Sequence, residues 1–438
     1  MRILIEKILK NKFIKNTGWL VFARIYQMVI QFVIGIKTVR YLGPTNYGTL
    51  SYAAAYISFF TILCTLGLEG VIVREIVKNR KQEGVILGTS IIYRLIASVL
   101  SLITVWIIVY LINPNDKTLL TVVFLQALIL PFNAFQSLEQ WYQSRMNLKV
   151  STGIKCFSYT LVTIYKIFLL VSNKNVKWFA FATSLDALLI AILLFLSYKK
   201  DSIESLRFDI KVGNRLLKIS YHLILSMLMA VVYNQMDKLM IGKILGQTEV
   251  GYYAAATTIT HMWLFIPQAI NTSAQPIIME LKNTNEKVYQ EKIYQLTSGI
   301  FWVGIFFATG VTICSNLIVE ILYGAEYMKA KIPLMISVWG MVFSSLSYPR
   351  SIWLLCENKQ MYTKRIMLWG VIANLFLNLL WIPRYGIIGA AFATFITEVI
   401  CCIISPLYYK EIREFPKKMI KALCCIFTVI NRLVKENI

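Results

Sequence analysis

Long apolar runs alternate with short polar connections along almost the whole chain. A run of about 20 mostly apolar residues is long enough to cross the hydrocarbon core of a bilayer as one α-helix. The pattern predicts about twelve such spans, at residues 17–39, 51–73, 88–112, 118–140, 151–171, 176–197, 216–242, 250–276, 293–319, 331–356, 361–382 and 386–409. The chain is therefore predicted to be an all-α polytopic membrane protein.

One polar connection occurs twice. Residues 40–48 read RYLGPTNYG, and 203 residues further on residues 243–251 read KILGQTEVG. A chance match of turn residues is the alternative, but weak internal symmetry at half the chain length is common in transporters. We therefore predict two pseudo-symmetric six-helix lobes, at 1–198 and 216–409, with a cytoplasmic linker at 199–215 and a basic cytoplasmic tail at 410–438.

Composition and charge support the membrane assignment and give an orientation. The chain is 57% hydrophobic and 15% charged, with a net charge of +23. One set of alternate loops contains 31 Lys and Arg residues and the other contains eight, so both termini are predicted to be cytoplasmic. The charge is then a topology signal that needs no nucleic-acid partner. The apolar run at 422–430 is short for a span and favours an interfacial amphipathic helix.

Basic residues within spans are the candidate substrate contacts. A charge at the bilayer centre costs about 2.5–3.5 kcal/mol on insertion scales, so such a side chain should face a cavity or a partner. Arg24 shares one helix face with Gln27 and Gln31. Span seven carries a comparable face that includes Asn234 and Asp237, with Lys238 beside it. The predicted substrate-binding residues are Arg24, Gln27, Gln31, Arg94, Lys166, Asn234, Lys238 and Arg350.

Acidic residues within spans are candidates for coupling to an ion gradient. A carboxylate in a cavity of low dielectric can take up a proton or bind sodium, although it can also serve only as the counter-ion of a base. We predict possible H⁺ or Na⁺ coupling at Asp237, Glu69 or Glu398. The eight cysteines and two histidines lack metal-ligand spacing, so no metal site and no other cofactor is predicted.

Prolines interrupt several of the predicted spans. Within a helix, proline removes a backbone hydrogen bond and produces a kink. Kinks are predicted at Pro131, Pro267, Pro276, Pro349 and Pro406. Kinked helices suit a protein that moves.

Several segments together resemble a known family. They are residues 16–20 (NTGWL) with Arg24, 40–53, 66–69 with 74–76, and in the second half 237–242 (DKLMIG) and 250–256. The chain resembles the polysaccharide (O-antigen or capsule repeat-unit) flippases of the multidrug/oligosaccharidyl-lipid/polysaccharide exporter superfamily. Arg24 matches a basic position on their first helix, and Asp237 matches an acidic position at the end of the seventh.

The resemblance implies two lobes around a central cavity and a lipid-linked substrate. The expected function is to move undecaprenyl-pyrophosphate-linked oligosaccharide repeat units from the cytoplasmic to the outer leaflet by alternating access, for surface polysaccharide or lipopolysaccharide biosynthesis. The expected location is the bacterial cytoplasmic (inner) membrane, with a polysaccharide polymerase and chain-length proteins as candidate partners.

Two alternatives remain open at this point. A cation-coupled drug exporter of the same superfamily would need acidic cavity residues and few cavity cations, the reverse of the predicted balance. A membrane glycosyltransferase or polymerase would need a sizeable outer loop or a carboxylate cluster. The protein is therefore expected to be a transporter and not an enzyme.

Overall fold

The structure is a computed structural model that describes residues 2–202 and 204–424. Side chains are described from Trp19 to Ile420, apart from positions 20–22, 24, 203 and 418. About 90% of the chain is helical, and no strand occurs among the described residues.

Seventeen α-helices follow one another along the described chain. They are α1 (Arg2–Thr65), α2 (Glu69–Lys78), α3 (Glu83–Ile112), α4 (Lys117–Ala127), α5 (Ile129–Asn133), α6 (Ser137–Ser144), α7 (Leu148–Val171), α8 (Val176–Asp201), α9 (Ile210–Ile244), α10 (Gln247–Trp263), α11 (Phe265–Thr284), α12 (Glu286–Tyr323), α13 (Lys331–Ser345), α14 (Ser347–Cys356), α15 (Met361–Val399), α16 (Ser405–Tyr408) and α17 (Glu414–Cys424). A π-helical turn, Ile400–Ile404, connects α15 to α16.

The predicted membrane spans correspond to these helices. Nine segments of the described chain are long and apolar enough to cross a membrane. Two of them, Ile25–Lys78 and Met361–Tyr408, are each bent at a glycine, Gly43 and Gly386, into two arms. The predicted eighth span corresponds to the more polar pair α10 and α11. If each bent segment counts as two spans and the α10–α11 pair as one, the nine segments give about twelve spans. The predicted all-α polytopic fold is confirmed.

The duplicated connection has the same backbone conformation in both copies. Gly43 has φ 68° and ψ 171°, and Gly246 has φ 93° and ψ 172°. A positive φ with ψ near 180° is accessible essentially only to glycine. Each glycine ends one helical arm and starts the next, so the repeated motif is a helix–helix corner.

Three helices break at the same sequence pattern, a leucine followed three residues later by proline. The breaks fall at Leu128, Leu264 and Leu346, with Pro131, Pro267 and Pro349 beyond them. The kinks predicted at these three prolines are therefore present. Pro276, in contrast, lies inside continuous α11, and Pro406 follows the π-helical turn at the start of α16.

The chain forms two compact units, Met1–Val231 and Val232–Ile438, whose boundary falls inside α9. In the N-terminal unit, α1 packs on α3, α4 and α7, and α8 packs on α4 and α7. In the C-terminal unit, α13 packs against α10, α12 and α15. The predicted lobe limits at 198 and 216 remain predictions.

The segment predicted as a linker is bound to α3 of the N-terminal unit. The backbone N–H of Gly84 donates to Oε2 of Glu204 (3.0 Å), and the N–H of Arg207 donates to the Gly84 carbonyl (3.1 Å). The N–H of Asp209 donates to Oγ1 of Thr89 (3.0 Å). Gly88 also belongs to this contact, since a Cβ there would lie 2.7 Å from the nitrogen of Arg207.

The described part of the tail ends in an amphipathic helix. In α17, Phe415 and Met419 are buried against Trp353 and neighbouring apolar side chains, while Lys417 is exposed. The interfacial helix predicted at 422–430 lies mostly outside the described residues.

Candidate functional site

The C-terminal unit encloses a cavity of about 470 Å³. This is within the range of about 300–1,000 Å³ that small-molecule sites occupy. Five of the predicted site residues line the cavity, and they are Asn234, Asp237, Lys238, Arg350 and Glu398. Because these residues come from α9, α14 and α15, the fold brings together charges that are far apart in sequence.

Asp237 lies at one wall and accepts three hydrogen bonds from side chains. Oδ2 accepts from the hydroxyls of Tyr253 (2.5 Å) and Thr394 (2.6 Å). Oδ1 accepts from Nδ2 of Asn378 (2.6 Å), which also donates to Asn374 (2.9 Å). The carboxylate is 5% exposed, so α10 and α15 supply the hydrogen bonds that water would otherwise provide.

Lys238 follows Asp237 in α9, and its side chain also lines the cavity. Asp237 attracts the ammonium electrostatically, and His261 lies close enough to interact with it. The Nζ group makes no hydrogen bond to any side chain or carbonyl that the structure describes. Lys238 therefore offers the cavity up to three unused donors.

Glu398 and Arg350 are two further charged residues that line the cavity. Glu398 in α15 is 7% exposed and is attracted by the guanidinium of Arg350. Arg350, on α14 one residue after Pro349, donates from Nη1 to the backbone carbonyl of Cys401 (2.6 Å). Cys401 lies in the π-helical turn.

Hydroxyl groups make up much of the remaining wall. Of the 22 residues that line the cavity, ten carry a hydroxyl: Tyr233, Tyr253, Thr257, Ser337, Ser344, Ser347, Tyr348, Ser351, Thr363 and Thr394. Hydroxyls both donate and accept hydrogen bonds. The wall therefore matches a ligand rich in hydroxyl or phosphate oxygens.

The N-terminal unit contains two more of the predicted basic site residues, Arg94 and Lys166, neither of which lines this cavity. Arg94 in α3 is 1% exposed, donates from Nη1 to the hydroxyl of Ser137 (3.0 Å), and is attracted by Glu69. Its Nε and Nη2 groups have no hydrogen-bond partner in the described chain. Lys166 in α7 is attracted by Asp186 of α8, whose Oδ1 accepts from Ser158 (2.7 Å).

The predicted polar face of the first helix is only partly described. The side chain of Arg24 lies outside the described set. Gln27 is half-buried and Gln31 is exposed on α1, and the hydroxyl of neighbouring Tyr26 is 2.6 Å from that of Thr160 on α7.

Several residues of the site are absent from the sequence-based prediction. Tyr253, Thr394 and Asn378 complete the Asp237 cluster, and His261 lines the cavity. The four-residue spacing of Asn374 and Asn378 was an available signal, since it places two amides on one face of an apolar helix. Single Tyr and Thr residues carry no comparable signal.

The all-α membrane fold and the charged cavity define a transporter of the multidrug/oligosaccharidyl-lipid/polysaccharide exporter type. A family model described as "Polysaccharide biosynthesis protein" matches residues 13–282, and a second, MatE, matches residues 223–380. The chain belongs to the polysaccharide biosynthesis protein family, and the resemblance stated from its motifs is confirmed.

Two curated relatives align over most of the chain. The first, described as "Probable low-salt glycan biosynthesis flippase Agl15" of Haloferax volcanii, is 25% identical over 86% of this chain and 79% of its own length. The second, "Capsular polysaccharide biosynthesis protein CapF" of Staphylococcus aureus, is 22% identical over 91% of this chain and 100% of its own.

Solved structures show the same fold at low sequence identity. An inward closed conformation of the lipid II flippase MurJ superimposes with a TM-score of 0.73 at 14% identity, covering 95% of this chain and 92% of that one. An inward-facing multidrug resistance MATE transporter gives 0.68 at 11% identity, covering 90% and 96%. The fold is therefore shared by flippases and drug exporters.

Proposed function

We propose that the protein flips undecaprenyl-pyrophosphate-linked oligosaccharide repeat units from the cytoplasmic to the outer leaflet by alternating access, for surface polysaccharide biosynthesis. The observation that carries the proposal is the balance of donors and acceptors in the cavity of the C-terminal unit. The Asp237 carboxylate already accepts three hydrogen bonds, whereas the Lys238 ammonium makes none with the described residues.

This imbalance in hydrogen bonding favours a ligand that brings acceptors. An organic cation would need a carboxylate without a counter-charge, whereas Asp237 attracts Lys238 and Glu398 is attracted by Arg350. Phosphate and sugar oxygens would instead accept from Lys238 and from the wall hydroxyls that do not already donate within the protein, whereas Tyr253 and Thr394 donate to Asp237. The lipid chain of such a substrate needs no polar site, because it can stay in the bilayer.

The cations of the N-terminal unit extend the proposal. Arg24 is proposed to contact the diphosphate, and Gln27 and Gln31 the glycan, since the three share one face of α1. Arg94 and Lys166 are weaker candidates, because Glu69 and Asp186 already compensate their charges in part.

We further propose that transport is coupled to H⁺ or Na⁺ at Asp237, with Glu398 and Glu69 as the other candidates. Asp237 is buried at the cavity wall, is hydrogen-bonded to neutral hydroxyl and amide groups, and attracts the neighbouring Lys238 ammonium. Such a carboxylate responds strongly to gaining or losing a cation, because little water screens it.

The proposal includes a location and partners. The family resemblance implies a bacterial cytoplasmic membrane, and the loop charges favour both termini in the cytoplasm. A polymerase and chain-length proteins would act on the flipped unit, for O-antigen, capsule or a related polymer.

Replacement of Arg24 tests the proposal in cells that lack the endogenous gene. We expect Arg24→Ala to reduce surface polysaccharide about tenfold or more, with lipid-linked repeat units accumulating on the cytoplasmic face. A lost hydrogen bond to a charged group is worth about 1.5–3 kcal/mol, and 1.4 kcal/mol is about tenfold.

The matched control is Lys37→Ala, an exposed base farther along the same helix, which should leave both quantities near wild type. If Arg24→Ala protein remained in the membrane with polysaccharide and precursor orientation unchanged, the assignment would be wrong.

A cation-coupled drug exporter is the second candidate, favoured by the MatE match at residues 223–380 and by the MATE-like fold. Efflux of cationic dyes distinguishes the two. A flippase should leave dye accumulation unchanged when the gene is deleted, whereas a drug exporter should not. A membrane glycosyltransferase or polymerase remains the third and least supported candidate.

A further inference from the structure

The π-helical turn Ile400–Ile404 leaves one backbone carbonyl without a donor from its own helix. In a π-helix each carbonyl accepts from the N–H five residues later, as the N–H of Ser405 does to Ile400. The corresponding donor for Cys401 would be residue 406, which is Pro406 and has no N–H. The carbonyl of Cys401 therefore needs a partner from elsewhere.

Arg350 supplies that partner. Its Nη1 donates to the Cys401 carbonyl at 2.6 Å, across 51 residues of sequence. The hydroxyl of Ser405 is four residues from Cys401, but it is buried and makes no hydrogen bond within the described chain. Cys401 itself is 8% exposed, so water is a poor substitute for the guanidinium.

Arg350 also connects two interruptions of the helical structure. It lies just after the break at Leu346 and next to Pro349, and its partner lies in the turn that ends α15. One hydrogen bond thus joins the start of α14 to the end of α15, and both helices line the cavity.

We propose that Arg350 is a positioning residue that replaces the N–H missing at Pro406 and holds α14 against the π-helical turn. It shapes the cavity wall without itself being a primary ligand of the substrate. This inference rests on the proposed flippase function, and it changes the role predicted for Arg350 from its charge alone.

The test restores the missing donor by a second substitution. Arg350→Met keeps the length of the side chain but cannot donate, and Pro406→Ala adds an N–H that can reach the Cys401 carbonyl. Each variant is assayed for surface polysaccharide in complemented cells and for its thermal unfolding midpoint after purification in detergent.

We expect Arg350→Met to lower the unfolding midpoint and to reduce polysaccharide about tenfold, since it leaves a buried carbonyl unsatisfied. Pro406→Ala alone should resemble wild type. The double variant should recover both quantities to within about twofold for polysaccharide. Pro276→Ala, at a proline inside continuous α11, is the control and should not rescue Arg350→Met.

A double variant as defective as Arg350→Met in both measurements would overturn the proposal. An Arg350→Met protein with an unchanged unfolding midpoint but lost transport would also overturn it, because that result would identify Arg350 as a substrate ligand. If Arg350→Met does not accumulate in the membrane, accumulation of the double variant is the readout instead. If the wild type proves not to flip lipid-linked glycans, the proposed function fails, while rescue of the midpoint still decides the role of Arg350.

Discussion

Exchanging an acid and an amide across one hydrogen bond tests the cluster around Asp237. In Asp237→Asn, the remaining carbonyl oxygen can still accept from Tyr253 and Thr394. The new Nδ2, however, faces Nδ2 of Asn378 where a donor and an acceptor were 2.6 Å apart, so two donors meet unless the Asn378 amide turns over, which would break its bond to Asn374. Asn378 is fully buried, and water cannot separate them.

The expected size follows from these contacts. The variant loses one hydrogen bond to a charged group, worth about 1.5–3 kcal/mol. Part of this loss is offset, because a buried amide carries a smaller desolvation penalty than a buried carboxylate. We expect the free energy of unfolding to fall by about 1–3 kcal/mol.

The second substitution, Asn378→Asp, should restore most of that loss. In the double variant the amide at position 237 donates to the carboxylate at position 378, and a rotation of the Asn374 amide keeps that side chain paired. The measurement is denaturant unfolding of the purified protein in detergent for the wild type, both single variants and the double variant.

A double-mutant cycle isolates the pair, and we expect a coupling energy of at least about 1 kcal/mol. Additive single effects would refute the pairing, and an Asp237→Asn protein as stable as wild type would refute the reasoning on burial. A transport assay of the double variant tests separately whether the negative charge must lie on α9 for coupling.

Two further predictions concern glycines. Gly246→Ala should lower the free energy of unfolding by about 1–3 kcal/mol, and only through the backbone conformation, since the added Cβ would meet open space. The control is Gly310→Ala in α12, where the added Cβ also meets open space and the change should be neutral or stabilising by up to about 1 kcal/mol. Equal effects at the two sites would contradict this explanation. Gly88→Ala should displace residues 204–209 from α3 and speed proteolysis of that segment. Gly153→Ala in α7 is the control, because nothing lies near the added Cβ there. An unchanged cleavage rate in Gly88→Ala would argue against the binding of residues 204–209 to α3.

The fold was accessible from the sequence because membrane helices are long, apolar and separated by polar residues. The repeated glycine corner was also accessible, since Gly43 and Gly246 occupy a conformation that other residues avoid. Three of the five predicted proline kinks are present at a Leu-x-x-Pro pattern. The bound segment at 204–209 was not predicted, because its contacts with Gly84 and Gly88 depend on tertiary packing.

Part of the cavity lining was predictable, because a charged or polar side chain is costly within a membrane span. Asn234, Asp237, Lys238, Arg350 and Glu398 stand out within apolar runs, and all five line one cavity. The role of each of these residues was harder to predict from the sequence. The partners of Asp237 are hydroxyls and amides that occur in many membrane helices, and the hydrogen bond of Arg350 depends on a π-helical turn that the sequence alone does not reveal.

The glycine corners also provide a register in which the two halves of the chain can be compared. Counting back 203 residues from Asp237 and Tyr253 gives Ile34 and Leu50, so the first copy has apolar residues where the second has an acid and its donor. The backbone corner is thus repeated in both halves, while the acid and its donor occur in only one of them. A cation bound at Asp237 would act on one half of the repeated framework, which would give the two halves unequal roles in transport.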